Sequence, residues 1–82
     1  MASFQPHAEY SETADALYVA LGEAEVALTR ELDDRRLIDL SEDGQIVGIE
    51  FLDVSGGVDL RDVPLRDEVG KLIRDFPFRV LA

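Results

Sequence analysis

The 82-residue sequence has no cysteine and no tryptophan, and its aromatic side chains are four phenylalanines and two tyrosines. Without cysteine, a disulfide scaffold and a thiolate zinc site are both excluded. Basic residues are scarce as well: eight Lys and Arg stand against 18 Asp and Glu, a formal charge of −10. A chain of that balance repels phosphate and lacks the basic footprint of a nucleic-acid-binding module. No apolar run approaches the ~20 residues that cross a bilayer. Residues 1–7 have neither the basic cluster nor the apolar stretch of a signal peptide. Repeats, low-complexity tracts and Pro/Ser-rich linkers are missing too. One small domain over residues 1–82, in a cytoplasmic setting, is therefore expected.

Apolar residues make up 46% of the chain, and their spacing changes once. Up to about Leu52 the period is two, which predicts strands and a sheet over about residues 4–53. Phe4, Ala8 and Tyr10 fall on one side of a first strand, and Pro6 suits its place at an edge. Leu17, Val19 and Leu21 back onto Ala16, Tyr18 and Ala20, a strand apolar on both faces and so expected to be covered on both. Val26, Leu28 and Leu32 mark a third strand, and Ile38 and Leu40 a fourth. Asp43-Gly44 is a hairpin signal, and Val47, Ile49 and Phe51 form one face of a fifth strand. The short connections predict sequential antiparallel pairing.

After Ser55-Gly56-Gly57 the spacing becomes helical: Leu65, Val69, Leu72, Ile73 and Phe76 make one stripe. A helix over about residues 64–76 follows, capped by Asp62 or Val63, with Pro64 in its first turn. Gly70 inside it suggests close approach to the sheet, and residues 78–81 read as a short extended segment. The expected fold class is α+β, an antiparallel β-meander of about five short strands with one C-terminal amphipathic helix on one sheet face. Charge follows the same division: residues 1–60 hold 14 acids and 3 bases, residues 61–82 hold 4 and 5.

One helix covers one face of a sheet. The apolar residues on the other face of the second strand then need a cover from outside the chain, since even a few hundred Å² at ~25 cal/mol per Å² amounts to several kcal/mol. A homodimer packed sheet to sheet is the expected partner arrangement, and the acidic sheet makes a basic protein surface the second candidate. Nucleic acid and membrane are not expected partners.

The residues offer little chemistry. His7, the single histidine, falls on the polar side of the first strand and reads as a surface residue. Asp33-Asp34 and Glu42-Asp43, with Asp39 between them, fit a hard cation only loosely, because just Asp43-Gly44 remains of the D-x-D-x-D-G spacing. Asp15, Glu31, Asp39 and Glu50 are the acids available for acid–base work, but a small sheet offers little cleft. More simply, they form a solvated face or pair with Arg30, Arg35 and Arg36. Gly56-Gly57 lacks the Lys-Ser/Thr of a phosphate loop. No catalytic, cofactor-binding or metal-ligating residue is expected. The chain reads as a non-enzymatic self-association or protein-interaction domain. The alternative is a small-ligand or divalent-cation site at a homodimer interface.

Tyr10, then Ala14-Asp15-Ala16-Leu17-Tyr18-Val19, Asp33-Asp34, Asp39, Asp43-Gly44, Val47-Gly48-Ile49-Glu50 and Leu52-Asp53 together resemble the domain-of-unknown-function family 2283. The family pattern is a Tyr-Asp-x-Glu-Ala-Asp-Ala-Leu-Tyr-Ile opening followed by an Asp-Gly-x-Val-Val-Gly-Ile-Glu-Ile-Leu hairpin. The resemblance covers about residues 8–54. Ser11, Thr13 and Leu40-Ser41 depart from it, where Asp, Glu and Tyr-Asp are common. It implies a small β-rich fold in a prokaryotic, cytoplasmic setting and no assigned activity. Read physically, the motif residues concern folding. Tyr10 and Tyr18 are expected to pair across the first hairpin, Asp15 to accept turn N–H groups, and Gly48 to leave room for Tyr18 or to mark a bulge.

Overall fold

Alternating apolar residues build a five-stranded sheet: β1 (His7–Ser11), β2 (Ala16–Ala20), β3 (Leu28–Asp33), β4 (Arg36–Leu40) and β5 (Ile46–Leu52). The computed structural model describes residues 3–81; residues 1–2 and 82, part of the expected domain, lie outside the described residues. β1 starts just after Pro6, which has no amide proton for a ladder. The Asp43-Gly44 hairpin forms as expected, with Gly44 at φ 86° and its amide donating to the Ser41 carbonyl at 3.0 Å.

The expected antiparallel sheet and single helix are present, in the strand order β1-β2-β5-β4-β3. Pairing is sequential within β1–β2 and within β3–β4–β5, but β2 pairs with β5 rather than with β3. Burial explains the order. Leu17 and Val19 of β2 and Ile49 of β5 are fully buried, so these strands take the centre, while β3, exposed along most of its length, takes an edge.

The covered face consists of Leu17, Val19, Ile38, Ile49 and Phe51. Two things lie on it. One is α1 (Arg66–Ile73), which buries Val69 and Ile73 against β1 and β2. The other is the segment after β5, where Val54, Val58, Leu60 and Val63 are each at most 6% exposed. That segment runs through a 3₁₀ turn (Val54–Gly56) into β6 (Val58–Asp59), which pairs in parallel with β7 (Val80–Leu81). Residues 78–81 thus close a second, two-stranded sheet, and the Phe78 ring sits 4.8 Å from that of Tyr10.

The helix is shorter than residues 64–76. Asp62 (φ 60°) and Leu65 (φ 55°) are left-handed, so the chain turns twice before the first helical amide, Val69, bonds the Leu65 carbonyl at 3.0 Å. Neither Asp62 nor Val63 caps it, and Pro64 lies in the preceding turn. Gly70 is not required by close approach, because a Cβ there would meet Leu60 Cδ1 at an ordinary 3.8 Å. No helix among the described residues is long and apolar enough to cross a membrane.

Candidate functional site

Strand alternation leaves one face of the main sheet without a covering element, and the register fixes what stands there. Glu9 is opposite Tyr18, Tyr18 opposite Glu50, Glu50 opposite Leu37, and Leu37 opposite Glu31. One row across all five strands therefore reads Glu9, Tyr18, Glu50, Leu37, Glu31. Its carboxylates stand two strands apart, about 10 Å at the usual strand spacing. The neighbouring row reads His7, Ala20, Gly48, Asp39, Thr29.

Tyr18 holds the two rows together. Its hydroxyl donates to Asp39 Oδ2 at 2.9 Å, and Thr29 Oγ1 donates to Asp39 Oδ1 at 2.6 Å. The phenol fills the space that Gly48 leaves open, as the motif suggested. Burial first, and then the bond to Asp39, push the Tyr18 phenol above its ordinary pKa of 10.0. The expected Tyr10–Tyr18 pair does not form. Tyr10 is opposite Leu17, so the two rings project from opposite faces, a consequence of a period of two and an odd register.

Asp15 sits in the turn between β1 and β2 at φ 49°, a conformation that Asp tolerates. Its carboxylate accepts the Ser55 hydroxyl at 2.6 Å, the Ser55 amide at 3.1 Å and the Tyr10 hydroxyl at 3.2 Å, and its carbonyl accepts the Val54 amide at 3.2 Å. The expected turn acceptor is thus a clasp on the 3₁₀ turn 40 residues away in sequence. The Ser55 hydrogen bond is the main reason the Asp15 carboxyl stays below its ordinary pKa.

The other acids of interest are dispersed. Asp33 binds Arg36, Asp43 accepts the Ser41 hydroxyl, and Asp53 lies 3.7 Å from Arg35. Among the described residues, no three His, Asp or Glu side chains converge as they would around a metal ion. His7 is exposed, with Nδ1 2.9 Å from the Gln5 carbonyl oxygen and Nε2 3.4 Å from Glu9. Gly56 and Gly57 give their amides to Asp53 and Val54 carbonyls.

Arg36 is the residue that pattern reading missed. The sequence reads it as a surface partner for the sheet-face acids, yet it is only 7% exposed and lies on the covered face opposite Phe51. Its Nε and Nη2 donate to Asp33 Oδ2 at 3.0 and 2.7 Å, and its Nη1 donates to the Asp59 carbonyl at 3.1 Å and to the Arg61 carbonyl. The available signal was spacing, since Arg36 stands in phase with Ile38.

Residues 7–55, more than half of the chain, match the family model described as Protein of unknown function (DUF2283). The chain belongs to this family. The DUF2283 region takes in the main sheet, the Asp15 clasp and the Tyr18–Asp39 network. α1 and the two-stranded sheet lie beyond it. No curated protein and no solved structure matches the chain.

Proposed function

We propose that the chain is a non-enzymatic protein-interaction domain whose open sheet face receives a basic surface of another protein. The row Glu9–Tyr18–Glu50–Leu37–Glu31 carries this reading. It offers apolar contact area and evenly spaced carboxylates on a rigid sheet, the mixture that electrostatically complementary docking uses. A partner helix with lysines seven residues apart, about 10.5 Å at 1.5 Å per residue, has the matching spacing.

Homodimerisation is the second reading. Packing two open faces together would set Glu9, Glu31, Asp39 and Glu50 of each copy against those of the other, and like charges oppose that. The edge strand β3 suits a second copy better: Leu28 is 59% exposed there, and Val26 just before it is 47% exposed. A small-ligand or divalent-cation site between copies has less support, because the acids that would form it are spread over separate elements.

Calorimetric titration with such a lysine peptide tests the first reading. Saturable heat that weakens with added salt and is lost in Glu50→Lys supports it; flat heat, or binding indifferent to Glu50→Lys, counts against it. Sedimentation equilibrium tests the second, with Leu28→Asp expected to dissociate any dimer.

A further inference from the structure

Three of the chain's eight basic residues converge on one cavity, away from the open face. The cavity has a volume of about 260 Å³ and lies between the β3–β4 turn and the Gly56-Gly57 backbone. Arg35, Arg36 and Arg61 line it, with Asp33 and Asp59 beside them.

Free hydrogen-bond donors remain in this cavity. Both carboxylates are engaged at both oxygens: Asp33 by the Arg35 amide and the Arg36 guanidinium, Asp59 by the Arg61 amide and guanidinium. Arg36 is spent on Asp33 and on two carbonyls. Arg35 is different. Its nearest carboxylate is Asp53, 3.7 Å from Nε, and its guanidinium makes no hydrogen bond among the described residues. Arg61 grips Asp59 through Nε and Nη2, leaving Nη1 free among the described residues. The side chains of Arg35 and Arg61 are 66% and 68% exposed, so both can move onto a ligand. Leu52 and Leu81 supply apolar wall.

A donor fork beside an apolar wall fits a planar carboxylate with a carbon body, since guanidinium and carboxylate match two hydrogen bonds to two. The charge of −10 opposes anions at long range. Salt screens that repulsion beyond about 8 Å at physiological ionic strength, while the contacts inside the cavity act at hydrogen-bond distance. We propose that this cavity binds a small monocarboxylate, its carboxylate held by Arg35 and Arg61 and its carbon body against Leu52 and Leu81.

The test is a titration of the full chain with butyrate at constant ionic strength, followed by ¹H–¹⁵N NMR, with sodium chloride and inorganic phosphate as comparison arms. The expected result is saturable shifts at Leu52, Gly56, Gly57 and the Arg35 side chain with butyrate. Phosphate should give weaker shifts. Arg35→Gln should weaken binding about tenfold, the loss of a charge-assisted hydrogen bond, while the rest of the spectrum overlays. Arg61→Gln is the second variant and should weaken binding. Shifts no larger than those with chloride, or butyrate affinity unchanged in both variants, overturn the proposal. Phosphate binding as tightly as butyrate overturns the assignment of a carbon body to the leucine wall.

Discussion

The phenol of Tyr18 occupies the space that a side chain at Gly48 would need: an ideal Cβ on Gly48 falls 2.1 Å from the Tyr18 hydroxyl oxygen and 2.4 Å from Cζ. Gly48 stands next to Asp39 in the register, so the ring that covers the glycine also reaches the carboxylate.

Gly48→Ala should therefore displace Tyr18, break its bond to Asp39 and cost roughly 1–3 kcal/mol, as overpacking does. Denaturant unfolding measures it. In a Tyr18→Ala background the same substitution should cost much less, giving a coupling that separates contact from strand propensity. Equal costs in both backgrounds would remove Tyr18 as the cause.

Gly70→Ala should have the opposite sign. The site is helical, its φ is ordinary, and Leu60 leaves normal contact distance for a methyl group. A gain of roughly 0.5–1 kcal/mol is expected from helix propensity. A raised denaturation midpoint with an unchanged slope checks it.

At Asp15 the backbone and the side chain make separate demands. Asp15→Asn keeps an acceptor for Ser55 and tolerates φ 49°, Asp15→Gly keeps only the backbone freedom, and Asp15→Ala keeps neither. Stability should fall in the order Asn, Gly, Ala. The amide of Ser55 should lose hydrogen-exchange protection in the last two.

Acid should destabilise the fold through named carboxylates. Asp59 is lowered to about 2, chiefly by the Arg61 side chain, and Asp15, Asp33 and Asp43 are lowered by Ser55, Arg36 and Ser41 respectively. A depressed folded-state pKa stabilises above the unfolded value and is lost below it. For Asp59 the loss runs from pH 3.8 down to about 2. Tyr18 shifts the other way, so its contribution holds below pH 10.0 and is lost above it. Thermal melts should fall at both ends of the pH range, and Tyr18→Phe should reduce the alkaline fall, which Tyr10 shares, while leaving the acid fall unchanged.

Where burial and alternation agree, the fold is readable from residues. Val47, Ile49 and Phe51 give β5, Asp43-Gly44 gives its hairpin, and Val69 and Ile73 give the buried side of α1. Strand order was not readable, because it follows from which strands bury most across the whole sheet. Ser55-Gly56-Gly57 interrupts the strand pattern, and these small residues hide the role of the flanking Val54, Val58, Leu60 and Val63, which complete the core. Leu65 gives no local sign of a left-handed backbone. Of the site, Gly48 making room for Tyr18 was legible as a small residue facing a large one. The Asp39–Thr29 bond and the Asp15–Ser55 clasp were not, as each joins elements that only the register or the tertiary fold brings together.

The most direct test is a ¹H–¹⁵N NMR map of where a lysine-bearing helical peptide touches the chain. The open-face reading expects saturable shifts at Glu9, Tyr18, Leu37 and Glu50, abolished by Glu50→Lys while α1 stays unperturbed. Shifts centred on α1 or the two-stranded sheet, or none on the open face at saturating peptide, would contradict it.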